Sequence, residues 1–352
     1  MPNWHESMQR TYEYFIVNPV SWRDMKPLKN VKSCSIERDS EADTLGSASI
    51  DTANMLGECY VRAYLVTIQN GIRERHPLAT FLVQTPTFDF NGRAPMITAD
   101  AYTPLLELKE NPMPIGYSVL KGENVMDAAY RITRDRIRAP VVKPSCTTEL
   151  YNDFVSNLDD TGLSFVSDLI VNAKHELALD EMGRVLFAPE QDLNSLQPVW
   201  TYTDDNSSIL LPELTIKSDL FGIPNAVEVV YSDDKHYYCV KVVNDDPNSP
   251  TSTVSRGREL LHRVTDVSSI GNPTENQMRE YAETLLRKLS SVECTVTYTH
   301  GYCPVRLGDC VRINYTRTGF EDIKAKVIRQ KIKCTPDCLV TETAQFTKQL
   351  WR

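Results

Sequence analysis

The stretch PTENQMREYAETLLRKLSSVECTVTYTHGYCPVRLGDCVRI, residues 273–313, decides the fold. It opens with a helix start, because Thr274 can cap the helix and Gln277 can reach back to the cap amide. Apolar residues follow at helical spacing on one face, at Met278, Tyr281, Ala282, Leu285, Leu286 and Leu289. The other face is charged, and we therefore predict an amphipathic helix over residues 274–289 that lies on a sheet.

The residues after this helix alternate between apolar and polar, as strands with one buried face do. The inward-facing candidates are Cys294, Val296 and Tyr298 in one strand and Val311, Ile313 and Tyr315 in another. A glycine turn at Thr318-Gly319 precedes a further alternating segment. The pattern predicts that the helix packs on antiparallel strands.

Upstream of the helix, residues 227–231 and 237–243 also alternate, and Asp233-Asp234 between them predicts a hairpin turn. Residues 244–259, NDDPNSPTSTVSRGRE, are predicted to form a long polar loop. Together with the helix and the strands that follow it, these segments predict one β unit over residues 225–352.

The N-terminal third carries the same strand pattern. TYEYFIV at residues 11–17 is predicted as a strand and PVSWRDMKPL at residues 19–28 as a loop. Several alternating segments follow, with hairpin signals at Asn70-Gly71 and Asn91-Gly92. The return strand over residues 76–92 is predicted to break at Pro86. Strands joined by tight turns at short intervals predict an all-β unit.

The middle of the chain has a different pattern. Asn124 is predicted to cap a helix, and a second helix is predicted from about Thr148 to Gly162. The next apolar run, Phe165 to Ile170, is interpreted as a strand or connector. His175 to Pro189 predicts a hairpin, and residues 190–219 are interpreted as polar and loop-rich.

These patterns predict a mainly β (α+β) fold with a small α+β block between two β units. The predicted division has an N-terminal arm at residues 1–28, a first β unit at 29–110, a middle domain and linker at 111–224, and a second β unit at 225–352.

Charge and hydropathy exclude some classes of protein. The 352 residues carry a net charge of -9, which argues against binding nucleic acid by neutralising phosphates over the whole surface. No apolar run approaches the roughly 20 residues that a membrane helix needs. The first residues, MPNWHESMQRTYEYF, lack the basic and apolar regions of a signal peptide, so synthesis in a cytoplasm is predicted.

The nine cysteines form no regular framework and are interpreted as reduced thiols. The alternative is disulfide formation among the four C-terminal cysteines, Cys303, Cys310, Cys334 and Cys338. Cys334 and Cys338 are predicted to flank a hairpin tip. Their spacing is one residue wider than a zinc knuckle, and no second pair has knuckle spacing, so no metal site is predicted.

Catalytic signatures are missing from the sequence. There is no glycine-rich phosphate loop and no Gly-x-Ser-x-Gly turn. The acid pairs lie in turn-like settings, where carboxylates usually make local hydrogen bonds. The histidines are scattered, at His5, His76, His175, His236, His262 and His300. We predict no catalytic, cofactor-binding or metal-binding residues, and a protein that is not an enzyme.

Residues 227–313 resemble the C-terminal half of phage tail hub proteins. The shared order is a strand pair that ends in an Asn-Asp-Pro-like loop, a serine-rich connector, and a helix of the form Gln-x-x-x-Tyr-Ala-x-x-x-Leu. A strand and then a Gly-Asp step, here Gly308-Asp309, complete it. The first β unit followed by the short helical segment GENVMDAAYRITRDRI also fits that order, so the resemblance extends over most of the chain.

The resemblance implies two tail-tube-like antiparallel β-barrels in each chain and a homotrimer with six barrels around a channel. It also implies a baseplate hub that adapts the six-fold tail tube to the three-fold spike. The implied partners are tail tube or distal tail proteins, central spike or fibre proteins, and the tape measure protein. DNA would pass through the channel without specific binding, no cofactor is implied, and the protein would reside in the virion tail after synthesis in the host cytoplasm.

Two alternatives remain open from the sequence alone. A tail-associated cell-wall hydrolase would carry its active site in the middle block, although no catalytic constellation singles one out. A binding protein with two β-domains and no virion role would be monomeric and would not self-associate through its sheets. The mass of the protein in solution separates the hub from the second alternative.

Overall fold

Antiparallel strands make up most of the computed structural model, which describes residues 2–54, 56–90, 92, 95–232, 237–265 and 274–351. The mainly β fold predicted from the sequence is confirmed. The chain forms two compact units. Unit 1 comprises Met1–Glu213 and Tyr298–Thr343, and unit 2 comprises Leu214–Thr297 and Ala344–Arg352.

The first part of unit 1 is entirely β. Its strands are β1 (Gln9–Val17), β2 (Asp24–Pro27), β3 (Val31–Asp39), β4 (Gly46–Thr52), β5 (Cys59–Gln69), β6 (Ile72–Phe90) and β7 (Pro95–Tyr102). The next part mixes short helices with short strands. Its elements are α1 (Leu106–Glu110), β8 (Ser118–Val119), α2 (Val125–Arg134), β9 (Phe154–Val155), α3 (Gly162–Val171), β10 (His175–Leu179), β11 (Val185–Pro189) and β12 (Trp200–Thr203).

The remaining elements include strands that pass from one unit into the other. They are β13 (Leu210–Ser218), β14 (Ala226–Ser232), β15 (Tyr237–Val243), α4 (Thr253–Arg256), β16 (Leu261–Val264), α5 (Glu275–Leu289), β17 (Ser291–Gly301), β18 (Cys310–Tyr315), β19 (Phe320–Lys333) and β20 (Leu339–Gln349). The unit boundary falls within β13, β17 and β20.

The strands of unit 1 pair in the order β20-β19-β3-β4-β7-β6-β5-β1-β2, and β18 pairs with β19. The predicted hairpin at Asn70-Gly71 is confirmed, because it joins β5 to β6. Both turn residues have positive φ, 53° and 78°, as a two-residue hairpin turn of the primed kind requires. β5 lies between two neighbours and is buried on both faces over most of its length.

The predicted break at Pro86 is wrong. β6 runs through it, and Pro86 pairs with Ala99 of β7. Proline is tolerated there because β5 pairs with β6 only as far as Val83, so the missing amide falls on a sheet edge. A register shift between Val83 and Thr85 accommodates the change in pairing.

The pairing that completes the unit 1 sheet is long-range. β19 pairs with β3 from Arg329↔Asp39 to Lys333↔Ser35. The two strands supply Ile332 and Ile36 to one hydrophobic core. This is why residues Tyr298–Thr343 belong to unit 1, whereas the sequence places them with residues 225–352. The four-range division by sequence stays a prediction.

In the middle block, the helix capped by Asn124 is confirmed, but the next two assignments are wrong. Gly162 begins a helix instead of ending one, and the run from Phe165 to Ile170 is part of that helix, α3. The cause is a capping box, in which Thr161 and Ser164 each bond the backbone of the other. The segment after Thr148 contains the short strand β9.

Strands also occupy two stretches predicted as loops. β2 lies within residues 19–28 and pairs with β1, for example Phe15↔Pro27. β12 and β13 lie within residues 190–219, and β12 pairs in parallel with β18, for example Tyr202↔Ile313. The β12–β18 pairing is between distant segments, which local alternation does not reveal. The predicted hairpin over His175 to Pro189 is confirmed.

Unit 2 confirms the amphipathic helix. Thr274 caps α5 in a capping box with Gln277, as predicted. Met278, Ala282 and Leu286 are fully buried, and α5 packs on the antiparallel pair β14 and β15. The predicted polar loop at 244–259 is instead partly ordered by α4 and by its own buried polar side chains, which are Asn244, Ser249, Thr251 and Ser252.

Some predicted features lie outside the described residues. They are the Asp233-Asp234 turn, His236, Asn91 and Pro273. Within the described part of the chain, no helix is long and apolar enough to cross a membrane.

Candidate functional site

A protruding hairpin is the most prominent exposed feature of unit 1. β5 stops pairing with β6 at Val83, and β4 stops pairing with β7 at Ile97. Residues 86–90 of β6 therefore extend past β5, and residues 95–96 of β7 extend past β4. In the described structure, the only strand that pairs with each of these segments is the other strand of the hairpin. We call these residues the hairpin tip.

The hairpin tip carries two exposed aromatic side chains. Phe88 and Phe90 are 57% and 62% exposed, and they share one face because they are two residues apart in a strand. Met96 on the opposing strand is also exposed. Exposed apolar side chains beside open strand edges are unfavourable in water. Such patches are typical of protein–protein contacts.

The second candidate site is a buried polar cluster built on β12, β17, β19 and β20. Glu342 lies at its centre and is fully buried. Its carboxylate accepts hydrogen bonds from the Tyr298 hydroxyl, from Gln330 Nε2 at 2.7 Å and from the Tyr202 hydroxyl at 3.3 Å. His300 Nε2 lies 3.5 Å from a Glu342 oxygen. We call these five residues, with Cys303, the Glu342 cluster.

Charge is balanced inside the Glu342 cluster. Burial alone would lower the pKa of His300, but hydrogen bonds with Cys303 and Glu342 and the charge of Glu342 outweigh it and raise the pKa to about 10. Burial alone would raise the pKa of Glu342, but hydrogen bonds with His300, Tyr298 and Gln330 and the charge of His300 lower it overall. The two shifts agree, so the site holds an ion pair at neutral pH.

The Glu342 cluster contains an acid, a base and a thiol, which are also the groups of hydrolytic enzymes. However, all six side chains are 2% exposed or less, and their polar atoms bond to one another. A substrate has no access to groups enclosed in this way. We interpret the cluster as a structural network in the core of unit 1, with His300 as a satisfied core histidine.

A second buried charge lies at Arg62, which is 1% exposed in the centre of β5. Its guanidinium donates to Thr80 Oγ1 at 2.8 Å, to Asp24 Oδ1 at 2.8 Å and to the Met182 carbonyl at 3.1 Å. Trp22 Nε1 donates to the same carbonyl at 2.7 Å. Arg62 thus binds the β10–β11 turn and the segment before β2 to the sheet. We call this group the Arg62 site.

The four cysteines singled out in the sequence do not come together in one place. Cys303 belongs to the Glu342 cluster, and Cys310 is buried at the start of β18. Cys334 and Cys338 flank the β19–β20 turn, as predicted. All nine cysteines are free thiols in the structure. The alternative of a disulfide among these four stays a prediction.

A surface cleft of about 520 Å³ lies beside the helical block and is lined by charged residues. Arg138 on its wall is already paired with Glu107 and, at 2.9 Å, with Glu58. The charge of Arg138 is therefore already balanced within the protein. Among the described residues, no group of three or more histidine, cysteine, aspartate or glutamate side chains is placed to hold a metal ion.

The fold matches solved structures of tail proteins over nearly its whole length. The tail protein from Neisseria meningitidis has a TM-score of 0.60 and 13% identity, with 97% of this chain and 98% of that chain covered. The 43 kDa tail protein of a prophage from Shewanella oneidensis has a TM-score of 0.60 and 10% identity, with 96% and 98% covered. No family model and no curated protein matches the chain.

The fold also matches part of a larger protein. In the Francisella PdpA-VgrG complex, the matching chain has a TM-score of 0.53 and 11% identity. The match covers 99% of this chain and 54% of that chain. The resemblance to tail and baseplate hub proteins expected from the sequence is therefore confirmed at the level of the fold.

Proposed function

We propose that this protein is a structural component of a phage-type tail, namely a baseplate hub. The observation that carries the proposal is the end-to-end likeness to two tail proteins. In one comparison, the match covers 97% of this chain and 98% of the tail protein. A likeness to one domain would be compatible with many functions, whereas this likeness extends over nearly the whole of both chains.

The assembly that we propose is a homotrimeric ring. Each chain would contribute two tail-tube-like barrels, and three chains would present six to the tail tube. Pairing around the ring would cover sheet edges that a monomer leaves open. The ring would thereby adapt the six-fold tube to a three-fold spike.

The ring would enclose a channel for DNA. The net charge of -9 supports passage without binding, because an acidic wall repels a polyanion and keeps it mobile. The proposed partners are tail tube or distal tail proteins on one side and central spike or fibre proteins on the other, with the tape measure protein in the channel. The proposed location is the virion tail.

The same proposal assigns no catalytic activity to the chain. The one assembly of acid, base and thiol found in the described structure is the Glu342 cluster, and its groups are buried. The proposed role rests on shape and assembly alone.

The solution mass tests the proposed function. We expect light scattering of the purified protein, alone or mixed with tail tube protein, to give three times the chain mass of 40.0 kDa. A ring of three protects the open sheet edges, which is the physical reason to expect this state. A chain that stays monomeric at all concentrations, salt conditions and partner mixtures would instead support the two-domain binding protein.

The hairpin tip is the surface that we expect to hold the trimer together. Replacing both Phe88 and Phe90 with serine removes apolar area that would be buried on assembly. Burying each phenylalanine stabilises the trimer by about 1.5–3 kcal/mol. The variant trimer should therefore dissociate at a concentration at least about 100-fold higher than that at which the unchanged trimer dissociates. Sedimentation velocity over a dilution series measures this shift.

A matched control for the hairpin variant is Phe221→Ser. Phe221 is 91% exposed and lies outside the hairpin tip, so the same chemical change should leave the trimer intact. The melting temperature of the monomer should be unchanged in both variants, since neither removes a buried side chain. If the doubly substituted protein still forms trimers with unchanged affinity, the hairpin tip is not part of the interface.

A further inference from the structure

Two cysteines that are 300 positions apart in the sequence face each other in unit 1. β19 pairs with β3 up to Lys333↔Ser35, and the next step of this register places Cys334 opposite Cys34. The backbone confirms the step, because the Cys334 amide donates to the Cys34 carbonyl at 3.0 Å. Directly opposed residues in an antiparallel pair have side chains on the same face, with Cα atoms about 5.5 Å apart when they are hydrogen-bonded.

The two side chains are also neighbours. Cys34 is the largest cause of the raised pKa of the Cys334 thiol. Cys34 is 6% exposed in the hydrophobic core, and the half-buried Cys334 packs against that core. A Cα separation near 5.5 Å is the commonest one in disulfides. A pair in this register is therefore within the separation that a disulfide spans.

We infer that Cys34 and Cys334 form a latent disulfide site, which closes by exchange with a small-molecule disulfide of the glutathione type. The sequence pointed to a partner for Cys334 among Cys303, Cys310 and Cys338, but the structure assigns a different one. The Cys303 sulfur is engaged in the Glu342 cluster, and Cys338 lies on the far side of the β19–β20 turn from the β3–β19 pair.

Closure takes two exchange steps. The Cys334 thiolate attacks one sulfur of the small disulfide RS–SR, which forms a Cys334–S–SR bond and releases RS⁻ to become RSH. The Cys34 thiol then loses its proton and attacks the Cys334 sulfur, which forms the Cys34–Cys334 bond and releases the second RSH. The protein loses two protons and two electrons, and RS–SR is reduced to two thiols.

Closure should be slow at neutral pH. The hydrogen bond to Cys34 and burial both raise the pKa of the Cys334 thiol, so little thiolate is present to begin the exchange. The pair would stay reduced in a cytoplasm and close in an oxidising medium outside the cell. The bond would tie β3 to the end of β19, which are the two strands whose pairing completes the sheet.

Peptide mapping of the intact folded protein tests the inference. The chain is incubated with oxidised glutathione, free thiols are alkylated after denaturation, and the digest is analysed by mass spectrometry. We expect a cross-linked peptide pair containing Cys34 and Cys334, formed faster at pH 9 than at pH 7. The bridged protein should melt about 5 °C or more above the reduced protein.

Two variants sharpen the test. Cys34→Ala should stop the reaction at the mixed disulfide on Cys334, whereas Cys146→Ser should leave the cross-link unchanged, because the Cys146 sulfur contacts the Thr148 hydroxyl instead of another thiol. A Cys334–Cys338 bridge, glutathione retained on Cys334 in the unchanged protein, or no reaction in the folded state would each overturn the inference.

Discussion

Replacing Glu342 with glutamine should lower the free energy of unfolding by about 3–5 kcal/mol, the usual effect of breaking a buried ion pair. The substitution keeps the shape of the side chain but removes the charge that balances His300. It also places an NH2 group where the carboxylate accepts hydrogen bonds from Tyr298 and Gln330. Denaturation by urea, followed by fluorescence, measures the loss.

The dependence of stability on pH gives the same prediction a second readout. The folded-state pKa of His300 is raised from 6.5 to about 10, so its contribution is fully present below pH 6.5 and is lost as pH rises through 10. The pKa of Glu342 is lowered from 4.5, so its contribution is present above pH 4.5 and is lost as pH falls. Between pH 6.5 and 10, the free energy of unfolding should fall by up to about 1.4 kcal/mol for each pH unit.

Glu342→Gln should abolish most of that alkaline slope, because His300 then loses the partner that holds its proton. A matched control is Glu321→Gln, which removes an exposed carboxylate of the same unit and should change stability by less than about 0.5 kcal/mol. If the Glu342 variant is as stable as this control and its pH profile is unchanged, the ion pair contributes nothing to the stability of unit 1.

Replacing Arg62 with methionine should be nearly as destabilising, by about 3–5 kcal/mol. Methionine fills much of the volume but leaves Asp24 with only the more distant Arg75, at 3.6 Å, as its cation. It also leaves the Met182 carbonyl with one donor fewer. The β10–β11 turn should then detach from the sheet more often. Because Arg184 follows this turn and is exposed, trypsin should cut after Arg184 faster than in the unchanged protein.

Arg134→Met provides the comparison for this variant. Arg134 is an exposed residue that pairs with its neighbour Asp135, and such pairs contribute about 0–1 kcal/mol. Its loss should change neither the unfolding free energy measurably nor the cleavage after Arg184. Unchanged cleavage in Arg62→Met would mean that the turn is held by contacts other than the Arg62 site.

Local signals in the sequence predicted local structure well. The capping box at Thr274 and the Asn70-Gly71 turn each act within a few residues, and both elements formed where the pattern placed them. The error at Gly162 has the same origin. Glycine is common both at the end of a helix and within its first turn, and the decisive residues were Thr161 and Ser164, which form the capping box.

The pairing of β19 with β3 could not be predicted in the same way. Alternation states that a strand has a buried face but contains no information about its neighbour in the sheet. For the same reason the Cys34–Cys334 contact was missed. The nearest cysteine along the chain is Cys338, and proximity in sequence was the only criterion available.

The Glu342 cluster did leave a signal in the sequence. In β20, Val340, Ala344 and Phe346 are buried at alternate positions, and Glu342 occupies the position between the first two. A carboxylate within the inward-facing set of an alternating strand must be paired, since burying an unpaired charge is strongly unfavourable. His300 follows Tyr298 in the inward set of β17 in the same way. Comparing the inward-facing residues of β17 with those of β20 would have suggested the ion pair of His300 and Glu342.

The β19–β3 pairing has a consequence for synthesis on the ribosome. Strands β3 to β7 can pair as soon as they emerge, but the outer edge of β3 waits for β19, about 290 residues later and on the order of tens of seconds at usual elongation rates. During that interval a nascent chain exposes an open strand edge beside apolar residues such as Cys34 and Ile36. Chaperones that cover such edges should therefore raise the yield of soluble protein.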